Sequence, residues 1–221
     1  MKKNILTSAV LAVGLAMPMT ANALTLLFQD AAFNQSSIVD GGVGDADGVV
    51  NGSILAGAIN VGTSVVTIAT SLFTDASGFS KLVLNVSDAI ANEAFNIAAF
   101  HDFSGAAAAP VLSKMNFTMN GSEVSGQVDG HFGYGPGGSL AGLTYTAFES
   151  LFDTGDDIDQ TASAPLSDPF RMIINTFVYQ GTTASYDATL TAAPVPLPAG
   201  GLLLLTALGG VAALRRRRKA A

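Results

Sequence analysis

The 221-residue chain has no cysteine and no tryptophan, only two histidines, and just 12% charged residues. Without thiols there can be no disulfide, no thiolate metal site and no cysteine nucleophile, so stability has to come from packing. Without tryptophan the largest flat ring for stacking on a sugar is missing. His101 follows an apolar run and precedes Asp102, and His131 lies in a glycine-rich stretch. No Gly-x-Ser-x-Gly elbow accompanies either one, and no further ligand stands at metal-site spacing, so neither a serine-hydrolase triad nor a histidine zinc site is expected. Positive charge is scarce too. Seven of the ten Lys and Arg lie in the first three and last seven residues, leaving Lys81, Lys114 and Arg171 in between. All 17 acidic residues fall within residues 24–194, which therefore carry a net charge of −14. Such a surface repels nucleic acid and favours divalent cations.

The basic residues at the ends have their own logic. Lys2 and Lys3 precede an apolar run from Ile5 to Met17, and Ala21-Asn22-Ala23 has the small-x-small pattern of a signal peptidase site. Residues 1–23 thus read as a signal peptide, with the mature chain starting at Leu24. At the other end, Val195, Pro196, Leu197, Pro198 and Ala199 form a stiff, extended stretch, because each proline fixes its own φ and biases the residue before it away from helix. An apolar segment continues to Leu214, and a helix over about 197–214 is expected to enter the membrane. The 20 residues from Val195 to Leu214 would span about 30 Å as a helix, the thickness of a bilayer core. Arg215, Arg216, Arg217, Arg218 and Lys219 follow at once and act as a basic stop on the cytoplasmic side. With basic residues inside at both ends, residues 24–194 are expected to be extracytoplasmic.

A proline motif, one span and a basic terminus, in that order at the end of the chain, resemble the PEP-CTERM family of bacterial sorting signals in its VPLPA variant. The resemblance covers residues 195–221, about the last eighth of the chain. It implies export, transient anchoring in the inner membrane, recognition by an exosortase, and delivery to the cell surface or extracellular matrix of a bacterium that makes exopolysaccharide.

Residues 24–194 are 171 in number, the size of one domain. They read as strands. Leu82, Leu84 and Val86 alternate with Lys81, Asn85 and Ser87; Met115, Phe117 and Met119 alternate with Lys114, Asn116, Thr118 and Asn120; Tyr186, Ala188 and Leu190 alternate with Asp187, Thr189 and Thr191. Period-two alternation marks half-buried antiparallel strands. Phe170 to Tyr179 is apolar on both faces and reads as a central strand. Further strands are predicted over 25–28, 49–55, 64–73, 94–103, 123–128 and 143–148, with 87–100 also compatible with a helix. Asn120-Gly121 predicts a hairpin between two alternating runs, and Asp40-Gly41-Gly42, Asp129-Gly130 and Gly133 to Gly138 predict turns. The acidic stretch from Asp153 to Asp168 predicts a long surface loop. About ten strands without a long amphipathic helix point to a single antiparallel β-sandwich.

Asp45, Asp47 and Asn51 form the most suggestive cluster, since alternating carboxylates beside glycines can wrap a hard cation such as calcium. The twelve-residue EF-hand frame is missing, and a solvated acidic turn fits the same pattern. A second acidic group, Asp153, Asp156, Asp157 and Asp159, allows the same two readings. Carboxylate pairs for sugar hydrolysis leave no local motif, and the glutamates Glu93, Glu123 and Glu149 default to the surface. The expected function is non-enzymatic and needs no obligatory cofactor: a structural or adhesive role in a polysaccharide or biofilm layer, with signal peptidase and exosortase as partners during export. A calcium-dependent glycan-binding module and an extracellular polysaccharide hydrolase are the alternatives. For the glycan-binding module, Tyr134 and Tyr145 are the aromatic candidates.

Overall fold

A computed structural model describes residues 23–74, 79–103, 111–137, 143–153, 157–166 and 169–194. The signal-peptide run up to Asn22 and the sorting motif, span and basic stop of residues 195–221 lie outside them, so Ala21 and Val195 to Lys219 have no structural account here.

The described chain is all-β and antiparallel. The strands are β1 (Thr25–Gln29), β2 (Gln35–Val39), β3 (Ser53–Val61), β4 (Ser64–Thr74), β5 (Ser80–Ile90), β6 (Phe95–Phe103), β7 (Val111–Pro136), β8 (Thr144–Asp153), β9 (Asp157–Leu166), β10 (Phe170–Val178) and β11 (Thr183–Pro194). The 26-residue β7 organises them. Its first half pairs with β11 and β9, and its second half with β10 and β8. Two layers follow from this. The first sheet runs β9, β7, β11, β5, β4, β3, and the second runs β8, β7, β10, β6, β1, β2.

The layers face each other because β7 bends. Phe117 and Phe132 would stand about 50 Å apart on a straight strand, at roughly 3.3 Å per residue. Their rings instead stack with centroids 3.8 Å apart. Gly126, at φ +115°, supplies the backbone freedom for the bend. Thr182 pins it there, its hydroxyl accepting from Gln127 N at 3.1 Å and lying close to the Gln127 carbonyl at 3.2 Å. A Cβ on Gly126 would come within 2.5 Å of that hydroxyl. Between the layers, Thr176 of β10 and Tyr186 of β11 share a buried hydroxyl–hydroxyl hydrogen bond of 2.8 Å.

The alternation places the core as expected. Leu82, Leu84, Val86, Met115, Phe117, Met119, Tyr186, Ala188 and Leu190 are all buried in it. β10 is buried on both faces, lying between β6 and β7 as a central strand should.

Three expectations are corrected. No hairpin forms at Asn120-Gly121. β7 runs straight through, with Asn120 opposite Asp187 and Gly121 opposite Tyr186 of β11. The positive φ that a two-residue hairpin needs occurs at Gly126 and not at Gly121. Asp129-Gly130 likewise lies inside β7. Glycine leaves room there, since a Cβ would sit 2.7 Å from the Met119 sulfur across the bend and press that side chain aside. Finally, the acidic stretch after Asp153 contributes β9, which pairs with residues 111–120 of β7. Its polar residues and Pro165 suit an edge strand with one neighbour. The strand expected over 49–55 begins at Ser53, β2 was not anticipated, and the ambiguous 87–100 stretch is the end of β5, a turn and β6.

Candidate functional site

Two regions concentrate polar side chains. The first is the loop between β2 and β3, where the structure brings Asp45, Asp47 and Asn51 together. Asp45 is buried, and its two carboxylate oxygens accept from Gly41 N at 2.9 Å and Leu55 N at 3.2 Å. Asp47 is exposed; it accepts from Val49 N at 2.9 Å and from the Asn51 amide at 2.8 Å, and these bonds hold its carboxyl below the usual range. Asn51 in turn accepts from Ser53 N at 2.8 Å. A fourth residue, which sequence reading took only for a turn former, completes the loop. Asp40 is buried and accepts from Asn51 N at 3.1 Å and Gly52 N at 2.8 Å. Each of these carboxylate oxygens already has an N–H donor. Among the described residues, no group of three or more His, Asp or Glu stands together as a metal cage.

The loop also closes the start of an edge strand. Among the described residues β3 pairs only with β4, and it carries no charged residue to discourage pairing with another chain. Leu55 N points away from β4 into the Asp45 carboxylate, and Leu55 O accepts from Ala46 N at 2.8 Å. Asp45→Ala should therefore cost about 1–3 kcal/mol, the range for leaving buried donors unpaired. It should also expose the edge, with self-association visible by analytical ultracentrifugation. Asp47→Ala, an exposed change, should leave both stability and mass nearly unaltered. Equal behaviour of the two variants would show that Asp45 does not hold the loop. Melting in calcium and in chelator tests the cation reading on the same proteins: an ion held by the loop raises the wild-type melting temperature and not that of Asp47→Asn.

The second region is the outer face of the second sheet, which is far more buried than an outer face has reason to be. Leu27, Ala98, Phe100 and Ile173 form a separate apolar cluster there, and Leu143, just before β8, packs on it. Beside the cluster, Arg171 and Asp102 sit directly opposite each other on β10 and β6. They form a two-pronged ion pair, Nε to Oδ1 at 2.6 Å and Nη2 to Oδ2 at 2.7 Å, with side chains only 2% and 7% exposed. The guanidinium also stands 5.0 Å from the centroid of the Phe100 ring. His101, next in line, points into the core edge-on to Phe103 at 4.7 Å, and burial pushes its pKa down.

Farther along the same face lies a hydrogen-bonded group on β7, β8 and the residue that follows β10. Asp129 accepts from the Gln127 amide at 2.9 Å, the Ser150 hydroxyl at 2.6 Å and the Tyr179 hydroxyl at 2.7 Å. Burial, together with this bond to the carboxylate, pushes the Tyr179 pKa up to about 12, so the phenol stays a donor at neutral pH. His131 lies opposite Asn175 on this face and is likewise pushed down by burial. Two of the three glutamates have described side chains. Glu93 accepts from Thr63 N at 2.6 Å in a turn, Glu123 is exposed on β7, and the Glu149 side chain lies outside the described residues.

No family model matches this chain, and no curated protein matches it. Among solved structures it is similar to the xylan-binding domain from Paenibacillus barcinonensis, at 10% identity over 64% of this chain and 88% of that one, with a TM-score of 0.35. A family 11 carbohydrate-binding module from Clostridium thermocellum, in complex with a mixed-linked tetrasaccharide, gives 10% identity over 80% and 98% with a TM-score of 0.32. A family 61 module in complex with β-1,4-galactotriose gives 9% over 55% and 86%, also at 0.32. These scores are too low to establish common architecture, and the description of the fold rests on its own strand pairing.

Proposed function

We propose that this chain is an exported, non-enzymatic module delivered to the cell surface or extracellular matrix by its C-terminal signal, with a structural or adhesive role in a polysaccharide layer. One observation carries the reading: the described strands, from Thr25 to Pro194, all lie within the interval between the two expected sorting segments. Leu24, next to the signal-peptide site, is fully buried, and its carbonyl accepts from Asp40 N at 3.0 Å. β11 runs to Pro194, immediately before Val195, and remains paired with β7 there. These contacts support reading residues 24–194 as one folded body between a leader and a tail. Signal peptidase cuts after Ala23, with Ala21 as the other small residue of its site, and an exosortase acts at Val195 to Ala199.

Replacing Pro196 and Pro198 with Ala tests the tail. The precursor should accumulate in the inner-membrane fraction, with little protein in the matrix. An unchanged distribution between fractions would remove the prolines from the sorting signal and the reading with them.

A further inference from the structure

We propose that the half-open part of the second sheet's outer face binds a neutral, hydroxyl-rich polymer, a polysaccharide segment, through Gln35, Gln29, Asn96 and Phe177 and the adjoining Asp129–Tyr179 group. Register places these residues in one row across six strands. Gln35 stands opposite Gln29, Gln29 opposite Asn96, Asn96 opposite Phe177, Phe177 opposite Asp129, and Asp129 opposite Ser150. Directly paired residues share a face. At about 4.8 Å between strands the row is roughly 24 Å long, the reach of an extended chain rather than of a small molecule.

The chemistry of the row selects its ligand. It contains amides, hydroxyls and aromatic rings and no cation, and its one carboxylate is occupied by three donors. A body of net charge −14 repels an anionic polymer, and a neutral one meets no such barrier. Among the described residues, Gln29 Nε2, Gln35 Nε2 and Asn175 Oδ1 are buried without hydrogen-bond partners, and all three lie on this face. Gln29 is 4% exposed and Asn175 8%. Native proteins rarely leave such groups orphaned. Two are donors and one is an acceptor, and a hydroxyl, which both donates and accepts, answers each of them. Phe177 and Tyr179 meet edge-on at 4.6 Å and, both half-exposed, set apolar surface among the amides. A few placed polar groups around aromatic carbon make a recognition surface. The Arg171 end, buried beside the Phe100 ring, takes no part.

This inference deepens the proposed function and rests on it only for the kind of polymer met outside the cell. The test is retardation of the purified body, residues 24–194 with Arg171–Asp102 intact, in native gels. The gels contain mixed-linkage β-glucan, xylan, galactan or dextran, with alginate as the anionic control. Retardation is expected in at least one neutral gel and not in alginate. Asn96→Ala and Phe177→Ala, both at half-exposed positions, should each weaken it tenfold or more with unchanged melting temperature. Thr189→Ala, on the outer face of the first sheet, should match wild type. Retardation in none of the neutral gels, or equal retardation of Phe177→Ala and Thr189→Ala, overturns the assignment. Correct export of a body that binds nothing would sink this surface alone, and a body that binds but is never exported would sink the delivery reading alone.

Discussion

Asp102→Ala is expected to lower the melting temperature by roughly 6–20 °C, which combines about 3–5 kcal/mol for removing one partner of a buried pair with about 2–4 °C per kcal/mol for a domain of this size. Arg171 is 2% exposed, and both bonds from its Nε and Nη2 go to Asp102. Without that carboxylate the guanidinium remains buried beside the Phe100 ring, 5.0 Å from its centroid. Replacing both members, as in Asp102→Leu with Arg171→Met, removes charge and counter-charge together. That double variant should recover most of the loss, because an apolar pair also suits the neighbouring Leu27, Ala98, Phe100 and Ile173. Differential scanning calorimetry on the single and double variants checks this. A single variant within a degree or two of wild type would mean that the pair opens to solvent.

Phe117→Asp should abolish cooperative folding. Phe117 is 3% exposed and stacked on Phe132, so the substitution forfeits an aromatic side chain packed between the two halves of β7 and buries a charge in an apolar cluster. Loss of a buried phenylalanine alone costs about 3–5 kcal/mol, and a buried unpaired carboxylate adds several more. Together these approach the whole stability of a typical domain, about 5–15 kcal/mol. Thr118→Asp, one residue along and on the outer side, should keep a sharp transition. Circular dichroism melts of the two variants distinguish the faces of β7. Cooperative unfolding of Phe117→Asp at a temperature near wild type would place that ring outside the core.

What could be read ahead in the residues was whatever is local. The alternations around Leu84, Phe117 and Ala188 gave the faces correctly, because side-chain direction in a strand depends only on neighbours two residues away. The course of β7 was hidden, because Asn120-Gly121 carries hairpin chemistry while its actual partner, β11, lies more than 60 residues onward. Glycine signals were ambiguous for the same reason: Gly126 serves a bend and Gly130 a close contact with Met119, and neither use shows in composition. Asp47 and Asn51, four residues apart, meet in a hydrogen bond, but the role of Asp40 depends on amides 11 and 12 residues away. The pairing of Arg171 with Asp102 spans 69 residues and leaves no motif. The row from Gln35 to Ser150 draws on six strands, so it exists only once the sheet is assembled.

The most direct test of export and tail removal is the intact mass of the protein recovered from the extracellular matrix, with its terminal peptides sequenced. The expected chain starts at Leu24 and has lost Arg215 to Ala221, with its new C-terminus at or just after the Val195 to Ala199 motif. Matrix protein that still carries Met1 to Ala23 or the arginine end would contradict the account.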